Sequence, residues 1–132
     1  MRVCIDTNVW ISGIVFGGAP AKIVQLAFEK KFVVVTSGAI LNEVERILQV
    51  KFDLPRKDVS RLSYRIAQIA DVFEPPGELK VIAADPDDDL IVETAVIGNA
   101  RYLVSGDKKH VLPLKRYGQV RIVNPREFIQ VL

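Results

Sequence analysis

The sequence predicts an α/β protein with a mostly parallel central sheet covered by helices on both faces. Short apolar runs rich in valine and isoleucine (RVCI, FVVV, YLVS and QVRIV) recur along the chain. FVVV in particular is continuously apolar and β-branched, the pattern of a strand buried on two sides. Between these runs lie longer segments with helical spacing of apolar residues and recognisable start signals. Strands that alternate with helices in this way build parallel sheets.

In order, residues 2–5 (RVCI) read as the first strand, and a helix around 8–15 is closed by the Gly17-Gly18 turn. Pro20 suits the first turn of a second helix ending near Lys30. FVVV at 32–35 is the second strand, and Ser37 can cap the helix that continues to about Lys51. Leu54-Pro55 restarts a helix whose polar side carries Arg56, Lys57, Arg61 and Arg65. Pro75-Pro76-Gly77 breaks the chain, and LKVIA at 79–83 is expected to be the next strand. A helix from about Asp87 to Gly98, a strand at 102–105, a short helix or turn at 108–116, a last strand at 119–123 and a short closing helix complete the order. No repeat, low-complexity tract or linker interrupts it, so residues 1–132 are expected to form a single domain.

Composition narrows the function classes. At 49% hydrophobic and 26% charged residues the chain resembles an ordinary soluble globular protein. No apolar run approaches the ~20 residues needed to span a bilayer, so no membrane association is expected. An acidic residue at position 6 argues against a secretory leader. Cys4 is the single cysteine, which excludes an internal disulfide and makes a cytoplasmic location the expectation. With His110 as the single histidine, a zinc site built from Cys and His is excluded too. The net charge is +2, yet residues 101–132 hold seven basic residues against Asp107 and Glu127. That asymmetry is compatible with nucleic-acid contact, although a solvated surface accounts for most such clusters.

The acids carry more information. Ligands of open parallel sheets gather outside the carboxyl ends of the strands. The first strand delivers Asp6-Thr7-Asn8 there, and YLVS, ending in Ser105, delivers Gly106-Asp107. The expected 79–83 strand delivers Asp85, Asp87, Asp88 and Asp89, and FVVV leads to the helix bearing Glu43 and Glu45. Each has an ordinary explanation when taken alone: Asp6 as a turn residue or N-cap, Asp107 as Gly-Asp turn chemistry, the glutamates as solvated helix residues. Their shared placement is harder to dismiss.

Within DPDDD, Pro86 suits the first helical position and makes Asp85 the natural N-cap. Acids in the first turn also favour the helix dipole. At about 100° per residue, Asp88 falls on the stripe of Ile91, Val92 and Ala95 that should pack inward, with Asp89 a quarter-turn away. Periodicity does not choose between Glu43 and Glu45, which flank the apolar face of their helix almost symmetrically. Converging carboxylates unsupported by Cys or His suit Mg²⁺ or Mn²⁺, which prefer oxygen ligands. Such an ion can activate water and stabilise the charge that develops in phosphodiester displacement.

The segments IDTNVWISG, LNEVERIL, DPDDDLIVETA and YLVSGDKKH resemble, in order and spacing, the four acidic motifs of PIN-domain ribonucleases. The branch it looks most like is that of compact bacterial and archaeal PIN proteins classed as toxins of toxin–antitoxin pairs, the VapC-like nucleases among them. The resemblance spans nearly the whole chain. It places the family acids on Asp6, Glu43, Asp88 and Asp107 as catalytic and metal-holding residues, with Asn8 and Ser105 in support. Asp85 and Asp89 are further supporting candidates, and Asp89 stands where relatives often have Asn.

It also implies a three-layer α/β/α sandwich and Mg²⁺- or Mn²⁺-dependent endonucleolytic cleavage of single-stranded RNA by a metal-activated water. The ends left would be 5′-phosphate and 3′-hydroxyl. An antitoxin protein and a second copy of the chain are the expected partners. Lys108, Lys109, Arg56, Arg61 and Arg65 are candidates for RNA phosphate contacts. The alternatives are an inactive PIN fold that binds RNA or a protein, and a receiver- or phosphatase-like phosphotransfer domain, which also places an Asp after its first strand.

Overall fold

The computed structural model describes residues 1–82 and 85–132. The chain runs β1 (Arg2–Ile5), α1 (Thr7–Val15), α2 (Gly18–Phe28), β2 (Val33–Ser37), α3 (Gly38–Val50), α4 (Arg56–Ile69) and β3 (Ala70–Phe73). It continues with α5 (Pro86–Ile97), β4 (Tyr102–Val104), a 3-10 turn at Leu112–Leu114, β5 (Arg116–Tyr117), β6 (Val120–Val123) and α6 (Pro125–Val131). The sheet order is β3-β2-β1-β4-β6-β5. Pairings are parallel except for the β5–β6 ribbon. The expected α/β architecture is present.

From β1 the chain moves outward to β2 and β3, then returns to β4 on the other side of β1. Right-handed crossovers in opposite directions put their helices on opposite faces of a sheet. Accordingly α1–α4 pack with one another, α6 joins α2, and α5 packs on β1, β2 and β4. The reversal leaves a crevice between the carboxyl ends of β1 and β4. The core beneath it includes Val3, Ile5, Trp10, Val34, Leu103 and Phe128, all 1% exposed or less. Two glycines permit close packing: a Cβ on Gly13 would meet Val24 and the Pro20 carbonyl, and one on Gly98 would meet Val35. Among the described residues, no single helix is long and apolar enough to cross a membrane.

Several element boundaries move by a residue or two, and Ser37, Asp85 and Pro86 take the positions expected of them. The strand expected at 79–83 is a correction. Residues 79–82 form no strand, and position 83 lies outside the described residues. The third strand is Ala70–Phe73, which follows α4 directly. Its four residues lie at the sheet edge with mixed exposure, so neither a breaker nor an apolar run marks it. LKVI has the composition of a strand, but the amides of Leu79, Val81 and Ile82 bond to side chains. Asp89 accepts the N–H groups of Val81 and Ile82 at 3.0 and 2.7 Å, and Glu93 accepts those of Gly77, Glu78 and Leu79 at 2.8–3.0 Å.

Candidate active site

Asp6 follows β1 and begins α1. Its carbonyl accepts the N–H groups of Val9 and Trp10, and its own N–H donates to Val104 of β4. The backbone therefore occupies the N-cap position, but the side chain makes no cap bond. Its Oδ2 instead accepts the Ser105 hydroxyl at 2.7 Å and the Asn8 amide at 3.1 Å. Ser105 Oγ in turn accepts the Asp107 N–H, and Asn8 Oδ1 accepts the Gly106 N–H. These bonds lash the loop after β1 to the loop after β4 and hold one buried carboxylate rigidly between them. At 2% exposure, burial pushes the Asp6 carboxyl up to about 6, opposed in part by hydrogen bonds from Ser105 and Thr7 and reinforced by Asp88 and Glu43.

Glu43 projects from α3 and Asp88 from α5 into the same crevice. A cavity of about 170 Å³ is lined by Asp6, Thr7, Asn8, Glu43, Arg46, Ile47, Asp85, Asp87, Asp88 and Ile91. Burial raises the Glu43 pKa, with Asp87, Asp88 and Asp85 adding to the rise and Arg46 opposing it. Burial also raises that of Asp88, reinforced by Asp85 and Asp107 and opposed by His110. The Thr7 hydroxyl is buried and has no hydrogen-bond partner among the described residues. Glu45 does not line this cavity, so the packing of α3 separates the two glutamates that periodicity left equivalent.

Asp107 sits at the adjoining edge. One oxygen, Oδ1, accepts the N–H groups of Lys109 and His110. The turn this creates swings the His110 ring back, placing Nδ1 3.3 Å from Asp88 Oδ2 and 3.8 Å from Asp107 Oδ2. Asp85 caps α5 through the Asp87 N–H and also lines the cavity.

The facing expected for α5 is corrected at Asp89. That residue is 9% exposed and ties down residues 81–82, whereas Asp88 is half-buried at the crevice. Residues 91–95 are all buried because the 77–82 segment covers part of the helix that a simple two-faced pattern would leave in water. Asp89 therefore neither lines the acidic cavity nor is solvated. Lys108 and Lys109 are exposed beside Asp107, and Lys108 lines a second cavity with Arg126. Arg56, Arg61 and Arg65 are exposed on α4 and do not line the acidic cavity; Arg65 lies over the Phe28 ring. Sequence reasoning missed Arg46 and His110 as neighbours of the acids. Their spacing offered a signal, since Arg46 is three residues from Glu43 on a helix and His110 three from Asp107.

Carboxylates from four separate segments, brought together at a sheet's topological switch point, raise the question of family. The model of the PIN domain matches residues 2–109. The chain belongs to the PIN domain family. An uncharacterized protein of Methanocaldococcus jannaschii is 31% identical to this PIN protein over 98% of its chain and 90% of the relative. Two solved structures share the fold. VapBC2 from Rickettsia felis, bound to a promoter DNA fragment, superposes with a TM-score of 0.62 at 18% identity, covering 94% of this chain and 98% of the other. The Mycobacterium tuberculosis toxin VapC20, described as cleaving the sarcin-ricin loop, gives 0.60 at 16% identity, covering 90% and 98%.

The donor set of the PIN crevice fits a hard divalent cation. It is rich in carboxylate oxygen, three of its acids have pKa values raised by burial and mutual repulsion, and Arg46 is the one basic side chain lining it among the described residues.

Proposed function

We propose that this PIN protein is an Mg²⁺- or Mn²⁺-dependent endoribonuclease that cleaves single-stranded RNA, acting as the toxin of a toxin–antitoxin pair. The carrying observation is the shared crevice of Asp6, Glu43 and Asp88, where each carboxylate raises the cost of ionising another. A bound cation removes that cost. Asp6, Glu43, Asp88 and the Oδ2 of Asp107 are the residues that would hold it. When bound, the ion supplies activation of a water and neutralisation of the charge that builds on the phosphodiester.

The chain's own groups do the rest. Ser105 and Asn8 fix the Asp6 carboxylate through Oδ2, the kind of support that orients a ligand. Asp85 starts α5 and so sets the position of Asp88. Arg46, at the cavity wall, is placed to attract the scissile phosphate, and Lys108 and Lys109 to hold neighbouring phosphates. Arg56, Arg61 and Arg65 would contact RNA farther from the cut. Products would be 5′-phosphate and 3′-hydroxyl ends. The toxin reading is supported by likeness in fold to VapC20 and to the toxin–antitoxin complex VapBC2. It carries with it an antitoxin partner, a homodimeric state and a cytoplasmic location.

The test is incubation of the purified protein with end-labelled single-stranded RNA in Mg²⁺, Mn²⁺ or chelator, beside Asp6→Ala and Asp88→Asn. Cleavage that requires the ion and disappears in both variants is expected. Cleavage retained by Asp6→Ala would overturn the assignment. Binding of RNA and Mn²⁺ without cleavage would replace it with a non-catalytic RNA-binding role.

A further inference from the structure

His110 is not one of the four acids, yet its ring stands against two of them. One ligand atom each from Asp88, Asp107 and His110 lie within 4.8 Å of one another. Around an octahedral ion with bonds of about 2.1 Å, adjacent ligand atoms are roughly 3.0 Å apart and opposite ones roughly 4.2 Å. The 3.3 and 3.8 Å separations from Nδ1 to Asp88 Oδ2 and Asp107 Oδ2 fall within that span.

The ring's placement is built into the turn. The His110 N–H donates to Asp107 Oδ1, the Leu112 N–H donates to the Asp107 carbonyl, and Val111 between them is fully buried. Oδ1 of Asp107 thus forms the turn while Oδ2 and the imidazole face the same point beside Asp88. A pair of lysines precedes His110 (DKKH), but neither ammonium is bonded to these acids.

We propose that His110 supplies a nitrogen ligand to the cation site of Asp88 and Asp107, so that the site prefers Mn²⁺ to Mg²⁺. The inference rests on the cation-binding reading above. Its chemistry follows from ligand preference: imidazole binds first-row transition ions well, whereas Mg²⁺ holds to oxygen and gives up its waters reluctantly. A site made of carboxylates alone has no such means of discrimination.

The experiment is pulsed electron paramagnetic resonance of Mn²⁺ bound to the intact protein, with calorimetric titration of Mn²⁺ and Mg²⁺ on the same samples, for wild type and His110→Gln. Wild type is expected to show ¹⁴N modulation from a directly bound imidazole. His110→Gln should lose that signal and lower the Mn²⁺-to-Mg²⁺ affinity ratio by about tenfold or more, the range seen when a support of a metal site is removed. Bound Mn²⁺ without ¹⁴N modulation in wild type, or an unchanged ratio in the variant, would overturn the role of His110 and leave the carboxylate site standing. No Mn²⁺ binding in wild type would sink both readings. Circular dichroism of His110→Gln guards against misfolding, and the wild-type ¹⁴N signal needs no variant at all.

Discussion

Asp6 shows how one residue can oppose the stability of the fold that holds it. Its carboxyl is raised from 3.8 to about 6, mainly by burial, so the folded state holds the proton more tightly than the unfolded chain. The associated stabilisation is fully present below pH 3.8 and is lost as pH rises through about 6. Above that, the ion-free protein carries a buried, crowded charge. We therefore expect Asp6→Asn to be more stable than wild type by about 1–3 kcal/mol in chelator at pH 7.5. The gain should vanish near pH 4, which thermal melts at the two pH values would check. The same substitution should abolish cleavage.

Ser105→Ala tests the neighbouring bonds, since it removes the hydroxyl that donates to Asp6 and accepts from the Asp107 N–H. We expect cleavage to fall about 10–100-fold with the fold retained. Unchanged rates would show that Asn8 alone orients Asp6. Asp6 and Asp107 could be singled out in the sequence because each follows a readable strand, and Asn8 and Ser105 through the resemblance to the PIN motifs. That Ser105 joins two of the others through one oxygen could not, since it depends on β1 and β4 being neighbours across almost a hundred residues.

At the scale of elements, α5 and the segment before it form one unit. Asp89 and Glu93, one turn apart, accept five amides of the 77–82 segment, doing for it what a neighbouring strand would otherwise do. Both are buried, and hydrogen bonds to a charged acceptor contribute more than neutral ones. Glu93→Ala is expected to destabilise the protein by about 2–4 kcal/mol, because three amides lose their acceptor at once. Asp87→Ala, at an exposed position, should change stability by less than about 0.5 kcal/mol. Urea unfolding of both variants compares them directly. Equal midpoints would mean that water readily replaces Glu93. The misreading of 79–83 as a strand has the same origin. LKVI carries the propensity for a strand, but propensity does not say whether a strand or a pair of carboxylates will satisfy the amides. Conversely, ADVF pairs with β2 at the sheet edge although little in its composition marks it.

For the whole molecule, the crevice exists because the sheet reverses its order at β1 and β4, so that α3 on one face and α5 on the other both open onto the same edge. A ligand gripped from both faces should stabilise the fold as a unit. Mn²⁺ at about a hundred times its dissociation constant is expected to add about 2.7 kcal/mol. For a chain of this size that corresponds to a rise in Tm of about 10 °C. Differential scanning fluorimetry with Mn²⁺ or chelator measures it, and Asp88→Asn should lose most of the shift. An equal shift in that variant would place the ion elsewhere.

The α/β class, the strands at β1, β2, β4 and β6, the caps at Ser37 and Asp85, and the set of acids from which a site could be made are legible in the amino-acid sequence. These are local properties: β-branched runs, capping residues and Pro86 act over a few positions, and their physics does not depend on the rest of the chain. Which acids meet depends on packing between distant segments. That packing placed Glu43 rather than Glu45 in the crevice, turned Asp89 into a brace for the 77–82 segment, and brought Arg46 and His110 to the carboxylates. Those outcomes depend on how α3 and α5 are rotated and covered by packing against distant strands. A helical period records which residues share a side, but not what will lie against it.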